Sequence, residues 1–143
     1  MIREAGAEDL DELLEMRLLL WPHYTKEVLL SGIRRILRSE RETVFVAGQA
    51  GGLVGFLEVS IRHEAPGCET KRIGYLEGWY VDETHRRQGI GGALILAAED
   101  WAKRQGCGEM ASDTTSHYPE SPAAHRAVGY REVKHVIHFR KEL

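Results

Sequence analysis

The sequence predicts an α/β protein, a mixed sheet with helices in the order β-α-α-β-β-β-α-β-α-β. Three observations carry this. The hydrophobic period changes from helical spacing before residue 40 to strand spacing after residue 43. A glycine-rich segment then separates an apolar strand pattern from another long helical pattern. No repeat, low-complexity tract or Pro/Ser linker interrupts the chain, so residues 1–143 read as one domain.

Each element has its own signal. Residues 7–20 repeat Leu10, Leu13, Leu14 and Leu18 at helical spacing, and Trp21-Pro22 ends that helix. Residues 26–39 form a second amphipathic helix through Val28, Leu29, Ile33, Ile36 and Leu37. Residues 43–49 and 52–61 flank Ala50-Gly51 and predict a hairpin. Residues 62–72 are polar and contain Pro-Gly, which predicts a loop. Residues 73–82 read as a strand. Residues 89–105 read as a helix with Ile90, Leu94, Ala97, Ala98 and Trp101 on one stripe and Gly106 as its stop. A short strand at 108–113, a short helix at 121–128 and a final strand at 130–140 complete the pattern.

The 143 residues are 43% hydrophobic and 29% charged, which excludes disordered, collagen-like and coiled-coil chains. At this length folding buries roughly 68–70% of the unfolded surface. A net charge of -3 lacks the basic excess of a nucleic-acid binder and suits a cationic ligand. No run approaches the ~18 apolar residues of a membrane span, and the acidic N-terminus does not resemble a secretory signal. Cys68 and Cys107 form no CxxC and read as free thiols of a cytoplasmic protein. No metal is expected. His63-Glu64 lacks the second histidine of HExxH, and His135 and His138 fall on opposite faces of a strand.

The most informative segment is Arg86-Arg87-Gln88-Gly89-Ile90-Gly91-Gly92, which follows a strand and opens a helix. Glycines admit an anion close to the backbone, and a helix start offers unpaired N–H groups at the positive end of its dipole. That combination cradles a phosphate or diphosphate, and Arg86 and Arg87 add charge. The segment is neither a Rossmann fingerprint, since position 94 is Leu, nor a P-loop.

That turn, the preceding LEGWYV (residues 76–81) and the later HRAVGY (residues 125–130) resemble the GNAT superfamily of acyl-CoA-dependent N-acetyltransferases. Leu20-Trp21-Pro22, Ser60-Ile61-Arg62-His63, Leu76-Glu77-Gly78 and Met110-Ala111-Ser112-Asp113-Thr114 resemble one branch of it, the aminoglycoside 6′-N-acetyltransferases. The resemblance covers nearly the whole chain. It implies the GNAT fold, acetyl-CoA as co-substrate, an aminoglycoside as acceptor and a homodimer. It also implies that backbone groups of Trp79, Tyr80 and Val81 pair with the pantetheine arm like an added strand. Residues 86–92 would then hold the diphosphate.

Acetyl transfer to an amine needs a neutral amine, a polarised carbonyl and a leaving thiolate. A carboxylate can hold an ammonium and receive its proton directly or through water. Glu77 lies in an apolar run, where an acid is costly unless it meets a charge or a wet cleft. Strict alternation puts it on one face with Tyr75 and Trp79. Asp113 ends the next strand, where open α/β sheets bind ligands and where an aspartate can equally cap a turn, and the resemblance of residues 110–114 implies that it belongs to the acceptor site. These two acids are the expected base and ammonium anchor, Glu77 as the base or the two roles reversed. His125 stands where many relatives carry a thiolate-protonating tyrosine, and is the candidate acid. Tyr118 replaces an asparagine that contacts CoA in many relatives. Trp21 is a candidate wall of the acceptor site. The alternatives are the same transfer to a polyamine or peptide N-terminus, and a CoA-binding sensor without catalysis.

Overall fold

The computed structural model describes residues 1–143. The N-terminal strand β1 (Ile2–Glu4) leads through a 3-10 turn at Ala7–Asp9 into α1 (Leu10–Leu20), followed by α2 (Lys26–Leu37). Thr25 caps α2 by accepting from the Val28 N–H at 3.3 Å. The sheet continues through β2 (Glu42–Gln49), β3 (Gly52–Arg62) and β4 (Ile73–Val81). Then come α3 (Ile90–Arg104), β5 (Glu109–Ser112) and α4 (Ser121–Ala127). The strand order is β1-β2-β3-β4-β5. The first four strands pair antiparallel, and β5 joins β4 in parallel.

Each face of the sheet buries its own core. On one face Leu57, Val59 and Leu76 meet Leu94, Ile95, Ala98 and Trp101 of α3. On the other, Val44, Val46 and Phe56 meet Leu13, Leu14, Leu29 and Ile33 of α1 and α2. No helix is long and apolar enough to cross a membrane.

Three sequence expectations change. Val28 is exposed rather than part of the inner face of α2. The final strand is the second change. Residues 131–143 form no ladder within this chain and lie exposed, with Phe139 at 91%. Strand-prone residues become a strand only when a sheet edge accepts their backbone groups, and the chain's own sheet does not take them.

The third change concerns β4. Pairing with β3 passes from Glu58↔Gly78 to Val59↔Leu76, so Glu77 is an extra residue in a β-bulge. The bulge turns Glu77 toward the α1/α2 face, where Ser60 Oγ donates to it at 2.7 Å. Gly78 faces the same side, against Trp21. Trp79 instead packs on the α3 face. Strict alternation, which grouped Glu77 with Trp79, fails here because the inserted residue resets the two-residue period.

Candidate active site

β4 and β5 part before β4 ends. Their ladder ends at Leu76↔Ser112, while β4 runs on to Val81 with β3 on one side and no strand on the other. The edge at 77–81 therefore offers backbone groups to an extended ligand. Tyr80 packs toward the α1/α2 core and Trp79 toward α3. The Val81 carbonyl accepts from Arg86 Nε at 2.9 Å, which anchors the turn to the strand end.

Beyond β4 the chain turns into α3. Gly89 caps the helix at φ 80°, and Arg87 sits at φ 62°, left-handed values that an arginine adopts only under strain. No side chain caps this N-terminus and no acid lies in its first turn. A Cβ at Gly89 would meet nothing within 4 Å, and one at Gly92 would come no closer than 3.9 Å to Val128. Gly91 differs, since its Cβ would meet Trp79 Cζ2 at 3.2 Å. The first turn of α3 with Gln88, Gly89 and Ile90 is thus an open, uncompensated positive helix end. This surface fits a diphosphate, and the free β4 edge fits an extended arm.

The acids lie where β4 leaves β5, each one residue beyond the last pair of the ladder. Glu77 accepts from Arg62 through Nε at 3.0 Å and Nη2 at 2.8 Å to both oxygens, besides Ser60. The Arg62 guanidinium also lies 3.5 Å from the ring centre of Tyr75. Tyr75 in turn donates its hydroxyl to Asp113. Burial, then the Asp113 carboxylate, push the Tyr75 hydroxyl pKa well up, so it stays a donor. One guanidinium and one phenol thereby join both candidate carboxylates. Sequence reasoning quoted Ser60 and Arg62 without giving them a role. Their cross-strand position opposite the 73–75 stretch carries the missing signal.

Trp21 borders this cluster. Its ring lies over Gly78, 6.2 Å from the Phe56 centroid and 5.1 Å from the Arg17 guanidinium. Arg17 is buried and pairs with buried Glu58 at 2.9 Å, and its Nη1 donates to the Leu29 carbonyl at 2.7 Å. Burial pushes the Glu58 carboxyl up, and the Arg17 charge opposes that. No sequence signal pointed to this pair, because its partners lie 41 residues apart.

Tyr118 and His125 each have partners within the chain. The Tyr118 hydroxyl donates to the Leu20 carbonyl at 2.9 Å, which ties the loop after β5 to the end of α1 and removes that proton from use on a coenzyme. His125 uses both ring nitrogens. Nδ1 donates to the Ser121 carbonyl at 2.8 Å, so in the neutral ring Nε2 accepts from Ser112 Oγ at 2.8 Å. Its ring also stands edge-on to Trp79 and Tyr130. That geometry braces α4 against β4 and β5 and leaves no ring N–H free. Arg86 Nη1 lies 4.0 Å from Glu120, and the Arg87 side chain is exposed. No group of three His, Cys, Asp or Glu side chains is arranged to hold a metal ion.

The parted strand pair offers free backbone groups, the start of α3 a positive helix end, and Glu77 and Asp113 two anions linked through Arg62 and Tyr75. The chain belongs to the acetyltransferase (GNAT) family, whose profile matches residues 8–130. It is 41% identical to the aminoglycoside N(6')-acetyltransferase type 1 of Serratia marcescens, covering 100% of this chain and 99% of that one. The protein of the same name from Klebsiella aerogenes is 40% identical, with 100% and 97% covered. Among solved structures it is similar to AAC(6')-Iy bound to the bisubstrate analog CoA-S-monomethyl-acetylneamine, at 33% identity and TM-score 0.92, covering 100% and 98%.

Proposed function

We propose that this protein transfers the acetyl group of acetyl-CoA to the 6′-amino group of aminoglycosides, by direct attack within a ternary complex, and so confers resistance. One observation carries the reading beyond the relatives' names. The β4 bulge aims Glu77 into the cluster that also holds Asp113, beside the open β4 edge. Two carboxylates there suit an acceptor with several ammonium groups.

Acetyl-CoA supplies the thioester acyl group. The first turn of α3, from Gln88 to Gly92, and Arg86 and Arg87 hold its diphosphate, and Trp79, Tyr80 and Val81 align the arm. Glu77 takes the ammonium proton, through water, and Asp113 anchors a second cationic group. Trp21 walls the sugar. His125 positions Trp79 and the strand ends, and the thiolate departs without a side-chain acid. Direct attack is supported by the two cysteines. Cys68 lies in the loop before β4 and Cys107 follows α3, and burial raises both thiol pKa values. Neither is an activated nucleophile.

The 143 residues act as one cytoplasmic domain that forms a homodimer. The dimer is supported by the tail, where Val133, Val136, Ile137 and Phe139 are exposed without a partner strand while β5 ends the sheet. The open edge of a second copy suits such a segment.

A thiol-release assay with acetyl-CoA and a panel of amines tests the activity. A kanamycin-type sugar should turn over, and a 6′-hydroxyl aminoglycoside should not. Glu77→Gln should lower kcat about 10²- to 10⁴-fold with acetyl-CoA affinity unchanged. Turnover of a polyamine or peptide with none of the sugar would overturn the acceptor assignment. Coenzyme binding with no turnover of any amine would favour a sensor.

A further inference from the structure

We infer that Arg62 is a specificity-determining residue, a built-in cation that occupies the acceptor carboxylate and that only a polycationic acceptor displaces efficiently. This rests on the reading that Glu77 and Asp113 receive the acceptor.

Both oxygens of Glu77 are already engaged. Oε1 accepts from Ser60 and from two nitrogens of Arg62, and Oε2 accepts from Arg62 Nη2 at 2.8 Å. An acceptor ammonium that comes to Glu77, directly or across one water, either meets like-charge repulsion from Arg62 at the remaining acceptor site of Oε2 or takes the place of Arg62. A guanidinium makes a planar fork, and here it also stacks on Tyr75 at 3.5 Å. A single ammonium offers one compact charge instead. A monoamine that takes that place exchanges a stronger contact for a weaker one, and one that shares Oε2 faces the Arg62 charge. An acceptor with several amines has a second anion to engage, Asp113, which the Arg62–Tyr75 stack ties into the same network as Glu77. The exchange is accessible, since the Arg62 and Glu77 side chains are 43% and 31% exposed. Arg62 thereby discriminates between acceptors by the number of their charges.

The test compares inhibition by a monoamine, 6-amino-6-deoxyglucose, with KM for a kanamycin-type sugar. In Arg62→Ala the monoamine Ki should fall about fivefold, the upper range for an exposed ion pair, and the sugar KM should change less. Arg62→Lys keeps the charge without the fork or the stack and should fall between. Arg41→Ala removes the same charge from a residue that contacts His63 rather than Glu77, and should leave the ratio unchanged. An unchanged or raised monoamine Ki in Arg62→Ala would overturn the inference and make Arg62 an orienting partner of Glu77. An equal gain in Arg41→Ala would overturn it in favour of net charge. Glu77→Gln separates the two layers. If it leaves turnover intact, the acceptor reading itself fails. If it lowers kcat while Arg62→Ala shows no gain, only the displacement by charge number fails.

Discussion

Trp21 lies so close over Gly78 that a Cβ at position 78 would come within 2.5 Å of its Cη2. Gly78 follows the bulged Glu77 and faces the same side of the sheet. The absence of a side chain at 78 therefore lets an aromatic wall sit next to the candidate base. Arg17, paired with buried Glu58, stacks behind that wall.

Gly78→Ala should push Trp21 aside. Overpacking costs about 1–3 kcal/mol, and the thermal melt should shift accordingly. The KM for the aminoglycoside should rise while acetyl-CoA affinity stays constant. Steady-state kinetics with an unchanged acceptor KM would remove Trp21 from the acceptor site.

Gly89 and Gly91 separate ligand space from protein packing. A side chain at 89 meets no protein atom, whereas one at 91 meets Trp79. Gly89→Val should weaken acetyl-CoA binding through occupied space together with strain at positive φ, about 1–2 kcal/mol. Gly89→Asn tolerates the left-handed backbone and should still weaken binding. Calorimetry showing undiminished affinity in Gly89→Asn would place the diphosphate elsewhere.

Truncation after Tyr130, or Phe139→Asp, should convert a dimer to monomers in analytical ultracentrifugation. A dimer that survives both changes would show that another surface joins the subunits.

Asp9 connects β1 to the start of α1. It accepts from Arg3 at 2.7 and 2.8 Å and from the Gly6 N–H at 2.8 Å. The Arg3 hydrogen bonds hold its carboxyl below the usual aspartate range. A carboxyl with a lowered folded-state pKa stabilises the fold above its unfolded value of about 3.9 and loses that contribution as pH falls through the folded value. Asp9→Asn should therefore lower Tm by a few degrees at pH 7, with the gap closing as the pH falls below about 3.9. A gap that is constant across pH would assign the loss to packing instead.

Much of this protein was legible in its residues because the signals are local. Leucine spacing determined α1, the Ala50-Gly51 turn determined the β2–β3 hairpin, and the glycines of 89–92 marked the helix start. Glu77 stood out because an acid within an apolar strand is costly without a charged partner, and Asp113 through its strand-end place and the resemblance of the segment around it. Tertiary structure decided the rest. Register across β3 and β4 created the bulge that separates Glu77 from Trp79. Folding brought Arg62 and Tyr75 between the acids, Tyr118 to Leu20, and Arg17 to Glu58. The tail has strand composition but no strand, because pairing needs an edge and composition cannot say whose edge is free. Residue spacing reports a neighbour's direction along one element, whereas contacts between distant segments depend on register and packing that only the assembled sheet defines.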